Sequence, residues 1–214
     1  MNFRHCRTKC PENALQAQRL TYSILTTHAR YICMQIILIV LFTTLMSEGA
    51  YAIDAEEYQI KAAYLYQFTR FVEWPASSFK TPGADFELCV MGVDRFGVAL
   101  SRLTQRSYNN HNIVLHFLKK ADQVRDCQII YISSSEVNHE AAILAKVVNS
   151  PVLTVSSLPG FVERGGIIGF VHTDNHIRFT INRGACERQD LVCSAKLLEV
   201  AVKIVDGKNG GETR

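Results

Sequence analysis

The sequence predicts an α/β fold: a largely parallel sheet flanked by helices on both faces, with a C-terminal antiparallel hairpin. Three observations predict it. Between residues 86 and 155, short apolar runs alternate with helical stretches, the rhythm of right-handed crossovers between parallel strands. Ahead of them, Ile60, Tyr64, Phe68 and Phe71/Val72 recur every three or four positions, giving one apolar helix face. After them, Gly166–Val171 and His176–Asn182 alternate in polarity around Thr173-Asp174-Asn175, which reads as a hairpin.

Taken in order, residues 56–73 read as the first helix, stopped by Trp74-Pro75 because the residue before proline avoids helical backbone. Ser77–Asp85 is a loop punctuated by Pro82-Gly83. Phe86–Val93 is a strand apolar enough for burial on both faces, and Phe96–Leu103 a short helix capped by Asp94. Ile113–Leu118 is the second strand, Ala121–Arg125 a helical turn, Gln128–Ser133 the third strand and Glu136–Val148 a helix. Pro151 then precedes the fourth strand, Val152–Val155. Beyond the hairpin, Ser194 to Val205 reads as a closing helix with Leu197, Leu198 and Ala201 inward. The polar residues 207–214 end the chain.

The first 52 residues stand apart. An apolar run, Ile36–Phe42 and on through Met46, ends in the small-x-small triplet Ala50-Tyr51-Ala52 before an acidic stretch. That is the order of a secretory signal and its processing site. The run is too short for the roughly 20 residues of a membrane-spanning helix. Export, cleavage after Ala52 and one domain over residues 53–214 are therefore expected. Residues 1–33 make a long charged lead-in, which leaves open a true start at Met34. An uncleaved signal anchor is the competing reading.

Charge separates the same two parts. The leader carries five basic and two acidic residues of the chain's 23 Lys+Arg and 20 Asp+Glu, leaving 18 of each sign in the remainder. A neutral domain without a basic stripe is not a nucleic-acid binder.

Of seven cysteines, Cys6, Cys10 and Cys33 fall in the leader, and Cys89, Cys127, Cys186 and Cys193 in the domain. An even count in an exported protein suggests two disulfides, and Cys89–Cys127 with Cys186–Cys193 is the favoured pairing. Free buried thiols and a four-cysteine metal site are the rivals. Spacings of 38, 59 and 7 hold no close Cys-x-x-Cys pair, which argues against zinc.

Catalytic constellations are hard to find. Gly92-Val-Asp94-Arg-Phe96-Gly97 sits where doubly wound proteins bind phosphate, but it has neither the G-x-G-x-x-G spacing nor a P-loop ending. His172, Asp174 and His176 could bracket a metal at the hairpin tip, although Asp-Asn is ordinary turn chemistry. Ser133-Ser134-Ser135 lacks a nucleophile elbow. No cofactor, no metal site and no enzymatic activity are expected. Partner or ligand recognition falls instead to Glu163, Arg178, Asn182 and Arg183, on or beside the hairpin. An arginine on a half-buried strand recognises carboxylates, and an internal Arg178–Glu163 ion pair is the alternative.

Four segments carry a family resemblance. Glu57-Tyr-Gln-Ile-Lys-Ala-Ala-Tyr-Leu-Tyr-Gln-Phe-Thr-Arg-Phe-Val-Glu-Trp-Pro75 resembles the opening helix of YfiR-like periplasmic proteins. Leu88-Cys-Val-Met-Gly-Val-Asp-Arg-Phe-Gly97, Gly165-Gly-Ile-Ile-Gly-Phe170 and Ile177-Arg-Phe-Thr-Ile-Asn182 are similar to later family motifs, in the same order. The resemblance implies a periplasmic regulator, frequently a homodimer, that represses a membrane-bound diguanylate cyclase through the cyclase's periplasmic domain. An outer-membrane lipoprotein would be a second partner. Cys89 and Cys127 match the position of a family disulfide. The family's second pair falls before the hairpin, where this chain has Leu158-Pro-Gly-Phe-Val-Glu-Arg-Gly165 and no cysteine. A second functional reading is a small-ligand sensor using the crevice near Asp94–Phe96 and Ser133–Ser135.

Overall fold

The computed structural model describes residues 30, 32–39, 41 and 48–207, with side chains at all of these but 48–54. Much of the expected leader, including Cys6, Cys10 and part of the apolar run, lies outside the described residues. The chain separates into two compact units, Met1–Ala52 and Ile53–Arg214. In the first, residues 32–39 are helical, with Ile36, Ile37, Leu38 and Ile39 exposed. Among the described residues no helix is long and apolar enough to cross a membrane.

The second unit holds the α/β fold that the sequence predicts. Helix α1 covers Glu48–Phe71, of which residues 53–71 belong to this unit, and is followed by β1 (Val72–Glu73) and β2 (Phe86–Met91). Next come α2 (Val98–Ser101), β3 (Ser107–Tyr108), β4 (His111–Leu118), β5 (Ile129–Ile132), α3 (Glu140–Val147) and β6 (Leu153–Ser156). The C-terminal part is β7 (Ile168–Thr173), β8 (His176–Asn182), α4 (Arg183–Arg188), β9 (Val192–Cys193), α5 (Ala195–Glu199) and β10 (Lys203–Val205). Eight strands form one sheet in the order β10-β8-β7-β6-β5-β2-β4-β3. The pairs from β4 through β7 are parallel, β7–β8 is the antiparallel hairpin, and β10 lies parallel to β8.

Strand periodicity sorts side chains onto two cores. On one face Phe86, Leu88, Val90, Ile129, Tyr131, Leu153 and Val155 pack with α1, α2 and α5. On the other Cys89, Met91, Ile130 and Ile132 pack with Val124 and with Ile143, Leu144 and Val147 of α3. Helices therefore cover both faces. Cys89 and Cys127 are joined across 6.0 Å between Cα atoms within the second core. Cys186 of α4 is joined to Cys193 of β9, at 6.7 Å.

Several elements differ from their sequence-based bounds. Helix α1 ends at Phe71, not 73, because Val72 and Glu73 pair antiparallel with Cys193 and Val192. Its inward face is Tyr58, Ala62, Leu65 and Phe68, whereas Ile60 is 40% exposed and Tyr64 only half-buried. The expected helix 96–103 shrinks to α2 and a 3-10 turn, Arg102–Gln105, because Gly97 holds a positive φ of 52° just before it. Ser134–Glu136 forms a 3-10 turn, so α3 begins only at Glu140. The expected helix from Ser194 to Val205 is α5 followed by a strand, since Lys203–Val205 add to the sheet edge beside Thr180–Asn182. Helix α4 was not expected. The Asn182 side chain starts it by accepting from the Ala185 N–H at 2.8 Å.

Candidate functional site

The hairpin turn is built as its sequence suggests. Asp174 and Asn175 both hold positive φ, 49° and 60°, which Asn and Asp tolerate better than other side-chain-bearing residues. At the hairpin the His172 ring lies 3.4 Å from Glu57 of α1. Among the described residues no group of three or more His, Cys, Asp and Glu is arranged to hold a metal ion.

The four residues expected to recognise a partner do not converge on one constellation. Glu163 is exposed and pairs with Lys203 at 2.7 Å, so the alternative of an internal Glu163–Arg178 pair is replaced by Glu163–Lys203. Lys203 holds the Glu163 carboxyl below the usual carboxylate range. Arg183 pairs with Asp206 at 2.8 Å. Asn182 is 2% exposed and spends its amide internally, donating to the Val162 carbonyl and capping α4. It is a fold residue, not a surface one. Arg178 is exposed, facing away from its core neighbours Ile177 and Phe179, and enters no ion pair among the described residues.

At the β2 and β5 carboxyl ends the Ser134–Glu136 turn packs against Gly92. The Ser135 hydroxyl accepts from the Val93 N–H at 3.0 Å and lies with the Glu136 side chain against Gly92. Gly92 holds a φ of 90°, and a methyl there would overlap both side chains. Asp94 closes the turn by accepting from the Phe96 N–H at 2.7 Å.

A buried polar cluster beside α1 escaped sequence reading. Lys61 has a side chain only 3% exposed, is paired with Glu57 one turn earlier, and lies 4.6 Å from the centre of the Tyr58 ring. Burial raises the Glu57 carboxyl, but hydrogen bonds and charge from Lys61, with His172 adding to them, outweigh it and hold the group below its usual range. Tyr131 stands under Phe96, with ring centres 4.7 Å apart, and shares a hydrogen bond with Ser157 at 3.1 Å. Burial pushes its phenol above the ordinary range. The signal was present in the spacing: Lys61 falls three residues after Tyr58 and four before Leu65, on the inward face.

Comparison with family profiles matches residues 58–202 to DUF4154, described as YfiR/HmsC-like. No curated protein matches. Among solved structures, a similar chain is a conserved domain protein from Vibrio cholerae O1 biovar El Tor. It is 13% identical, with 55% of this chain and 54% of that chain covered and a TM-score of 0.40. The alignment thus spans about half the length of that structure.

Proposed function

Because the chain belongs to the YfiR/HmsC-like family, we propose that it is a periplasmic repressor of a membrane-bound diguanylate cyclase. The family is one of periplasmic regulators of signalling enzymes and is not typically catalytic, and two disulfides suit an oxidising compartment. The carrying observation is the family match across most of the domain, residues 58–202. Cleavage after Ala52 would release a soluble domain that docks on the cyclase's periplasmic part, as a homodimer. An outer-membrane lipoprotein would relieve repression by sequestering it.

Such a protein shifts the cyclase only through its differential affinity for the inactive state. A preference of about 3 kcal/mol changes the ratio of states more than a hundredfold. Exposed Arg178 is the side chain we assign to the contact, since its charge faces solvent without an internal ion pair. Deleting the gene should raise cellular cyclic di-GMP, and unchanged levels would remove the cyclase from the proposal. Capture of membrane proteins on the purified domain should recover a cyclase, and Arg178→Glu should lose it while melting at the wild-type temperature.

A further inference from the structure

The eight-stranded sheet has two edges, and they are finished differently. At one, β10 is three residues long, and its Lys203 is tied to Glu163 across 2.7 Å. At the other, β3 covers β4 only at His111 and Asn112. From Val114 to Leu118, β4 has β2 on one side and, among the described residues, no strand on the other.

That bare stretch is oriented for pairing. The Ile113 N–H points away from β2, donating to the Arg106 carbonyl at 3.4 Å. Backbone groups repeat their direction every second residue, so Leu115 and Phe117 also turn their N–H and C=O outward. Outward groups without a neighbour make a strand edge a template for another strand. Phe117 is 52% exposed beside them, an apolar side chain left to solvent.

Edges that repel a neighbour carry charge or proline within the strand. Between Ile113 and Leu118 there is no proline, and the one ionisable residue, His116, is engaged with Glu87 of β2. Charge lies at the ends instead. Arg106 borders Ile113, and Lys119 and Lys120 follow Leu118. All three are exposed, and none enters an ion pair among the described residues.

We propose that the β4 edge accepts an extended, acidic segment of a partner protein as an added strand. Leu115 and Phe117 supply the ladder, and the Phe117 ring covers an apolar side chain of the segment. Acidic residues at the segment's ends meet Arg106 on one side and Lys119 and Lys120 on the other. A second copy fits less well. Antiparallel self-pairing about His116 sets Lys119 opposite Ile113, beside Arg106 of the other copy, where like charges repel. In the sheet order β4 stands far from β8, which carries Arg178, so the test is independent of the cyclase.

The probe is the synthetic peptide DEVTVTVED, with two controls. KKVTVTVKK reverses the charge, and DEVTPTVED keeps the charge but interrupts the ladder with proline. Titration of the purified protein, followed by amide resonances, should show saturable binding of the acidic peptide at millimolar or lower concentration. Hydrogen exchange should slow at the Leu115 and Phe117 amides in that complex. Both controls should bind about tenfold more weakly or worse. Lys119→Glu with Lys120→Glu should weaken the acidic peptide by a similar factor at an unchanged melting temperature. No saturable binding of the acidic peptide at millimolar concentration would overturn the proposal. Equal binding of the proline peptide would overturn it too, since charge alone would then suffice. Slowed exchange at Leu115 and Phe117 in a peptide-free dimer would give the edge to a second copy, and the proposal fails.

Discussion

The parallel part of the eight-stranded sheet, β2 with β4 to β6, and the C-terminal segment from β7 to β10, whose β9 pairs with β1 outside that sheet, each contain one disulfide, but the two are held together differently. Cys89–Cys127 spans 38 residues and ties a central strand to the entrance of its neighbour inside a core. Cys186–Cys193 spans only 7 and ties a six-residue helix to a two-residue strand. On the chain-entropy account the first loop contributes about 4 kcal/mol and the second about 2.4 kcal/mol. The parallel part is a cooperative sheet whose staple acts on the whole unfolded chain. The C-terminal part is an assembly of short pieces, each fixed by a local bond.

Removing the staples is the sharpest way to break this comparison. Cys89→Ala with Cys127→Ala should lower unfolding stability by about 4 kcal/mol in urea titration. Cys186→Ala with Cys193→Ala should cost about 2.4 kcal/mol. Equal losses would mean that loop length does not govern either bridge.

Glu57 lies in neither part, yet its carboxylate reaches both Lys61 and the hairpin's His172. Glu57→Ala leaves a buried ammonium without a partner and should cost about 3 kcal/mol. Lys61→Met removes the buried charge and leaves a carboxylate that water can reach, so its cost should be under about 1.5 kcal/mol. Reversal of that order in thermal unfolding would mean that the pair is held by Glu57's burial, not Lys61's. The pH dependence follows from the same pair. Lys61 and His172 depress the folded-state ionisation of Glu57, so its contribution is present above the unfolded value near 4.5 and is lost as pH falls below that. Glu57→Gln should flatten the acid limb of a stability–pH curve.

The parallel part was legible because each strand is a short, largely apolar run bounded by turn residues, such as Gln128–Ser133 before its serine loop. The hairpin turn and the Cys186–Cys193 pair, seven residues apart, were legible for equally local reasons. Most of the C-terminal assembly was not. Leu197, Leu198 and Ala201 have helical spacing, and no glycine or proline interrupts the run before Gly207, so α5 and β10 merged into one helix. What separates them is long-range: the Val202 N–H donates to the Phe179 carbonyl, and Lys203–Val205 find an open edge on β8. The candidate site was least legible. Glu163 and Arg178 are set near each other by no sequence rule, and the lysine that pairs with Glu163 lies 40 residues away.

Asn182 offers the smallest test, and it bears on the local character of the C-terminal part. Its side chain bonds in two directions: Nδ2 donates to the Val162 carbonyl at 2.7 Å, and Oδ1 accepts from the Ala185 N–H at 2.8 Å. Asn182→Ala removes both and leaves one buried donor and one buried acceptor unmade, which should cost about 1 to 2 kcal/mol. Asn182→Asp keeps the cap but sets a buried carboxylate oxygen against the Val162 carbonyl, so it should cost more than alanine. The damage should remain near α4: hydrogen exchange should quicken at Ala185 and Cys186, while Ile130 and Val155 of the parallel strands stay protected. Equal quickening in both parts would make the sheet one cooperative unit from β3 to β10, and the division between a stapled sheet and a locally pinned tail would disappear.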